Sequence, residues 1–169
     1  PLEEHARRLA ALFTVSPRRR GSATHLKTLR QHTLTLRRVY TSLAGDVARG
    51  EPSTPAAEWL LDNFHIVIAA VRDIHHDLPA SFFRRLPWIA ADEFAGLPRV
   101  YAMARELIRC SAGRLDPQRL HRFVTAFQSI TPLTMGELWA WPSLLKLVLV
   151  EHVRNRADVM ATSRAHRLD

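Results

Sequence analysis

AAEWLLDNFHIVIAAVRDIHHDL, residues 56–78, is the stretch that decides the fold. At about 100° per residue, Trp59, Asn63, Ile66 and Ala70 fall on one helical face. Leu60, Phe64, Val67, Val71, Ile74 and Leu78 fall on the next, and Leu61, Ile68 and His75 widen the apolar arc. Glu58, Asp62, His65, Arg72 and His76 fall on a narrow polar stripe. A helix apolar over most of its circumference is covered on several sides. The pattern therefore predicts the central helix of a helical assembly. Thr54 and Pro55 mark its start as N-cap and first helical residue, and Pro79 marks its end.

The flanking sequence repeats the same punctuation. A helix is predicted from Leu2 to about Thr14, broken at Ser16-Pro17 and the basic run Arg18-Arg19-Arg20-Gly21. Ser22 or Thr24 can cap a second, from about His25 to Arg49, whose Leu26, Leu29, Leu36, Val39, Leu43 and Val47 keep a helical period. Gly50 to Pro55 is a linker. Ala80 to Pro87 reads as a short irregular or helical piece, and Asp92 to Gly96 as a connection. Pro98 opens a helix to about Ser111, ended by Gly113, and Asp116-Pro117 opens another to about Ile130. Thr131-Pro132 breaks that one. Thr134 and Glu137 then match a capping box, in which each side chain accepts from the other residue's backbone N–H. The last helix is predicted to reach about Thr162, with a kink near Pro142. No run alternates with period two, so no strand is expected. The reading is all-α: a six- or seven-helix bundle or irregular helical array in one compact domain, with an N-terminal helical hairpin over 1–50 and a helical core over 55–162.

Composition agrees. The chain has 169 residues, 47% of them hydrophobic and only 6 of them glycine, which suits a packed helical domain. The net charge is +8, and Lys27 and Lys146 are the only lysines. Such a balance permits nucleic acid, an acidic membrane surface or an acidic neighbouring domain as partner. A single cysteine, Cys110, excludes an internal disulfide framework; it lacks a visible base partner and reads as a small buried residue. The most apolar stretch, Leu133 to Val150, is interrupted by Glu137, Pro142, Ser143 and Lys146. A membrane span needs about 20 mostly apolar residues, so this reads as a core helix of a soluble domain. A chain that opens on Pro1 rather than methionine reads as a piece of a longer protein.

Signals for chemistry are weaker. The polar stripe on 56–78 is ordinarily a solvated, ion-paired face. A groove for a sugar or phosphate is one alternative. A metal site from Asp62, His65 and the Asp73, His75, His76, Asp77 cluster is another, but it lacks a zinc-type His pair. Asn63 reads as a structural amide pinning a loop or a neighbouring helix. Trp139 and Trp141 could stack on sugar rings, although aromatics at such positions are more often core. Arg84 beside Phe82 and Phe83 could meet a phosphate, and Arg99 could bridge to a carboxylate of the central helix. No pair of carboxylates can be placed across a cleft from sequence. Phosphate-cradling glycine loops, zinc-type cysteine pairs and nucleophile elbows are absent from the sequence. The sequence thus assigns no catalytic residue, no cofactor and no metal. It offers one candidate ligand or docking groove: Trp59, Asp62, Asn63, Arg84, Arg99, Glu137, Trp139 and Trp141.

Five blocks together resemble one family. They are AEWLLDNFHIV (57–67), DLPASFFRRLP (77–87), GLPRVYAMARELI (96–108), GRLDPQRLHRFVTAFQSI (113–130) and TPLTMGELWAWPSLLKLVLVEHVR (131–154). In this order they are similar to the N-terminal region of cyclic β-1,2-glucan synthases; the first fifty residues add little. The resemblance implies a polytopic bacterial inner-membrane parent that builds β-1,2-glucan from UDP-glucose on a protein-linked primer. It also implies a membrane-embedded glycosyltransferase, helical flanking regions and a glycoside-phosphorylase-like region. This piece lies ahead of the transferase and lacks its acidic motifs. The expectation is a non-catalytic scaffold or interaction domain, soluble and on the cytoplasmic face. Its partners would be the remaining domains of the parent and an acidic membrane surface. β-Glucan or UDP-glucose is the alternative ligand, and nucleic acid is not expected.

Overall fold

A computed structural model describes residues 2–16, 22–112 and 114–168, with side chains of the last helix described as far as 162. The helices, in chain order, are α1 (Leu2–Leu12), α2 (Thr24–Ala48), α3 (Pro55–Asp77), α4 (Ala80–Phe83), α5 (Arg99–Cys110), α6 (Pro117–Gln128) and α7 (Met135–Leu168). The all-α reading holds, and among the described residues seven helices form an irregular array. The breaks expected at Pro17 to Gly21 and at Gly113 lie outside the described residues.

The predicted start signals are satisfied atom by atom. Thr54 Oγ1 accepts from the Ala57 N–H at 3.3 Å, with Pro55 behind it as the first helical residue. Asp116 Oδ1 accepts from the Arg119 N–H at 2.8 Å. At α7, the Thr134 N–H donates to Glu137 Oε2 at 2.8 Å and the Glu137 N–H donates to Thr134 Oγ1 at 3.2 Å, closing the capping box. The cap expected at Ser22 or Thr24 differs: α2 begins after Ala23 with no side chain on its free N–H groups. At its other end α2 closes in a Schellman turn. Gly50 takes φ +76°, its N–H reaches Val47 O at 3.0 Å, and the Glu51 N–H reaches Asp46 O at 3.0 Å. Glycine adopts that left-handed backbone without steric cost.

Packing divides the helices into two groups. α1 lies on α6 and touches α5, while α2, α3 and α7 pack on one another; α5 joins the groups by lying along α7. The helices expected as a hairpin over 1–50 therefore pack elsewhere, α1 on α6 and α2 on α7 and α3. α3 is not the central helix that its apolar circumference predicts. One face, with Leu60, Val67, Val71, Ile74 and Leu78, is buried as expected. Trp59 and Ile66 on the adjoining face remain 50% and 55% exposed. Among the described residues, only α2 and α7 cover α3 closely, which leaves its third apolar side open. The central position belongs to α5, which buries residues from Arg99 to Ala104 without interruption and then Glu106, Leu107 and Ile108.

The expectation of no strand is also corrected. β1 (Val15–Ser16) and β2 (Trp88–Ile89) pair antiparallel, Val15 opposite Ile89 and Ser16 opposite Trp88. Two residues are too few for alternation to show in a sequence. The pair ties the end of α1 to the loop before α5. In that loop Gly96, at φ +83°, donates its N–H to Ile89 O at 3.0 Å. Trp88 is buried there, its indole N–H donating to Arg84 O at 3.2 Å.

Candidate functional site

The eight sequence candidates take several different places. Arg99 and Glu137 meet in the core. Arg99 stands first in α5 and Glu137 third in α7. Arg99 Nε donates to Glu137 Oε1 at 2.8 Å and Nη2 donates to Oε2 at 2.7 Å, a two-pronged pair that is charge-assisted at both ends. Nη2 also reaches Pro132 O at 3.1 Å, and the guanidinium lies 6.0 Å from the Phe127 ring. Glu137 is 0% exposed and Arg99 5%. The carboxylate serving the capping box is thus the one that neutralises Arg99. The pair locks the starts of two helices together and leaves neither group open to a ligand. Arg99 does reach a carboxylate, but on α7 rather than on α3.

The other candidates are more accessible. Asp62 and Arg84 are exposed. Asn63 bonds its own helix, Nδ2 to Trp59 O at 2.8 Å, rather than a loop or neighbour. Trp141 is partly buried against the core. Trp139, which would ordinarily be core, is 77% exposed beside Met135 at 69%. It lies on the side of α7 away from the buried Glu137, Ala140 and Leu144 stripe, where none of the described helices covers it.

Among the described residues, a groove of about 600 Å³ lies between α3 and α7. Trp59, Ile66 and Ala70 form one wall; Leu149, Val153 and Met160 form the other. Lys146, His152 and Arg156 are its charged and titratable lining. Lys146 pairs with Asp73 at 2.8 Å, a contact that joins α7 to α3 and holds the Asp73 carboxyl below its ordinary range. Of the eight candidates, Trp59 alone lines this groove. Between Trp139 and Val153 the α7 axis advances about 21 Å, so Trp139 belongs to a different part of the surface.

A second polar cluster sits where α2, α5 and α7 meet. The Tyr101 hydroxyl donates to Glu151 Oε2 at 2.8 Å, and the His25 ring lies 4.4 Å from the Tyr101 ring. Burial, then the Glu151 charge, pushes the Tyr101 hydroxyl far above its ordinary range. Burial raises Glu151 too, against the Tyr101 hydrogen bond and the charge of Arg105. Burial lowers His25, as do Arg105 and His32; His32 is lowered by burial and by Arg154. Both imidazoles are thereby biased toward the neutral form.

Metal-ligand types converge in one place among the described residues: His5, Glu106 and Cys110. Asp62, His65 and the 73–77 cluster do not form such a group. Cys110 is exposed, not buried as expected, because the end of α5 emerges from the core there.

No family model matches the chain. Over 130 residues it is 38% identical to the cyclic β-(1,2)-glucan synthase NdvB of Rhizobium meliloti (strain 1021). The chain is related to a region of that glucan synthase. The matched segment is 77% of this chain and 5% of the relative. Among the described residues, no helix is long and apolar enough to cross a membrane. Sequence reasoning named Trp59 as a candidate but missed the groove of this glucan-synthase-related chain, because its second wall comes from α7. Leu149, Val153 and Met160 were legible as apolar positions; which neighbour left them open was not.

Proposed function

We propose that this chain is a non-catalytic scaffold and interaction domain of a membrane-bound cyclic β-1,2-glucan synthase. Its α3–α7 groove seats a helix from another part of the same protein. The parent would polymerise glucose from UDP-glucose into β-1,2-glucan, with the transferase chemistry elsewhere. The observation that carries this reading is the open apolar side of α3, Trp59 and Ile66, facing apolar residues of α7 across a groove. An apolar concavity wide enough for side chains is the usual seat of an amphipathic helix. Most of a protein of the relative's length lies beyond the matched segment, which supplies many candidate occupants. Lys146, His152 and Arg156 favour an occupant with acidic flanks. The net charge of +8 favours placement against acidic lipid or an acidic domain on the cytoplasmic face.

The test is to express the rest of the synthase separately and capture it with the purified chain. Ile66→Asp and Trp59→Ser should keep the fold, since about half of each residue is already in solvent, and should lose capture. Equal capture by both variants would overturn the groove as the seat.

A second reading, a glucan- or nucleotide-sugar-binding module, is favoured by one observation: the exposed indole of Trp139. Flat aromatic faces suit sugar rings. Calorimetric titration with β-1,2-glucan oligomers and with UDP-glucose tests it. Saturable binding abolished by Trp139→Ala in a folded variant would carry this reading, and no binding at millimolar ligand would retire it.

A further inference from the structure

His5 on α1 and Glu106 and Cys110 on α5 bring three different donor atoms together. A ring nitrogen of His5, a carboxylate oxygen of Glu106 and Sγ of Cys110 all lie within 4.8 Å of one another. Glu106 and Cys110 are one helical turn apart and share a face, and α1 crosses close enough to α5 to add the imidazole. His5 Nε2 already lies 3.2 Å from Glu106 Oε2. Glu106 is 7% exposed, and its carboxylate is gripped by Arg109, through Nε at 3.1 Å and Nη2 at 2.6 Å. Cys110 is exposed, so the cluster opens to solvent on the thiol side.

We propose that His5, Glu106 and Cys110 form a three-ligand site for a divalent transition metal, with zinc the fitting ion. Imidazole, carboxylate and thiolate are all zinc donors. Calcium and magnesium are poor candidates, since they take oxygen ligands. Tetrahedral ligands at about 2.0–2.3 Å from zinc stand roughly 3.3–3.8 Å apart, so the set closes by about an ångström on binding. Arg109 occupies the carboxylate in the metal-free arrangement. Its side chain is 66% exposed, so it can turn into solvent while zinc takes over as the cation on Glu106. Binding exchanges the Cys110 S–H bond for an S–Zn bond, and the proton passes to solvent. The fourth coordination position faces water.

The competition with Arg109 separates a metal site from a plain ion-pair cluster, and the experiment is built on it. The 169-residue chain is titrated with Co²⁺, read by thiolate-to-cobalt charge-transfer absorption, and the cobalt is then displaced by Zn²⁺. One equivalent is expected to bind. Cys110→Ser should remove the band, and His5→Ala should weaken zinc by about tenfold or more, at least the loss seen for outer-shell partners. Arg109→Ala should tighten binding by freeing the carboxylate. Circular dichroism checks that each variant is folded, and Cys110→Ser, at an exposed position, is the variant least able to disturb it. No cobalt band at excess metal would overturn the site. Unchanged zinc affinity in His5→Ala would overturn it too, because the thiol would then be acting alone. So would an unchanged or weaker affinity in Arg109→Ala.

Discussion

α3 and α5 invert what their sequences suggest. α3 is apolar nearly all round, yet Trp59 and Ile66 are half in solvent. α5 carries Arg99, Arg105, Glu106 and Arg109 in 12 residues, yet is the most enclosed long helix. The difference is one of partners. Arg99 can be buried because Glu137 meets it with two hydrogen bonds, while Glu106 is met by Arg109 and His5. A paired charge is tolerated in the interior, whereas an unpaired one is not. Apolar surface needs no specific partner to be buried, but it does need a neighbour, and α3 has one too few. Burial follows the availability of complements more than how apolar a helix is along its own length.

That contrast can be broken most severely at α5. Glu137→Ala leaves Arg99 as an uncompensated buried charge and dismantles the α7 capping box. It should destabilise the chain by about 3–5 kcal/mol, read as a fall in the thermal midpoint on the order of 10 °C. A loss within about 0.5 kcal/mol would show that the pair does not hold α5 in place. Leu107→Ala, wholly buried in the same helix, should cost about 2–5 kcal/mol by urea titration. If it cost no more than an exposed leucine, the central role of α5 would be wrong.

Outside both helices, Gly50→Ala strains the left-handed turn after α2 and should cost about 1 kcal/mol. The titratable cluster where α2 and α7 meet Tyr101 of α5 sharpens the contrast through pH. His25 and His32 have folded pKa values below the ordinary 6.5. The unfolded chain therefore takes up protons first as pH falls through 6.5, and the stability these groups contribute is lost from there toward their lower folded values. Glu151, raised in the fold, acts with the opposite sign at lower pH: the folded chain holds its proton more firmly, and that contribution is lost as pH rises. Melts between pH 7.5 and 5.5 should show decreasing stability, with a shallower slope in His25→Asn. An identical slope would mean that His25 is not held neutral. The smallest effect belongs to α3: Ile66→Asp should move the stability of the chain by no more than about 0.5 kcal/mol. A large loss would place Ile66 in the core after all and close the groove.

The helix starts were legible because their signals are local. Thr54-Pro55, Asp116-Pro117 and Thr134 with Glu137 act within four residues, and each appears in the structure with the expected hydrogen bond. The Schellman turn at Gly50 is equally local. What escaped depends on residues far apart in the chain. The β1–β2 pair joins Val15 to Ile89, and the His5–Glu106 contact spans 101 positions. The α3–α7 groove depends on which helix is absent beside Trp59, a fact about the assembly rather than about α3. Trp139 misled for the same reason: its type says core, but its face of α7 has no neighbour. Cys110 was misplaced because the exit of α5 from the core is set by packing, not by its own sequence.

The Arg99–Glu137 bridge spans 38 residues, and all of α6 lies between its ends. Glu137 serves its own helix start and the distant guanidinium with one carboxylate, so α7 cannot fray at its first turn without loosening α5. Local opening should therefore not travel helix by helix along this part of the chain. In native-state hydrogen exchange, the amides of α5 and of the first turns of α7 should share one opening free energy and form a single cooperative unit. The amides around Trp59, on a helix with an open side, should exchange through smaller and independent fluctuations.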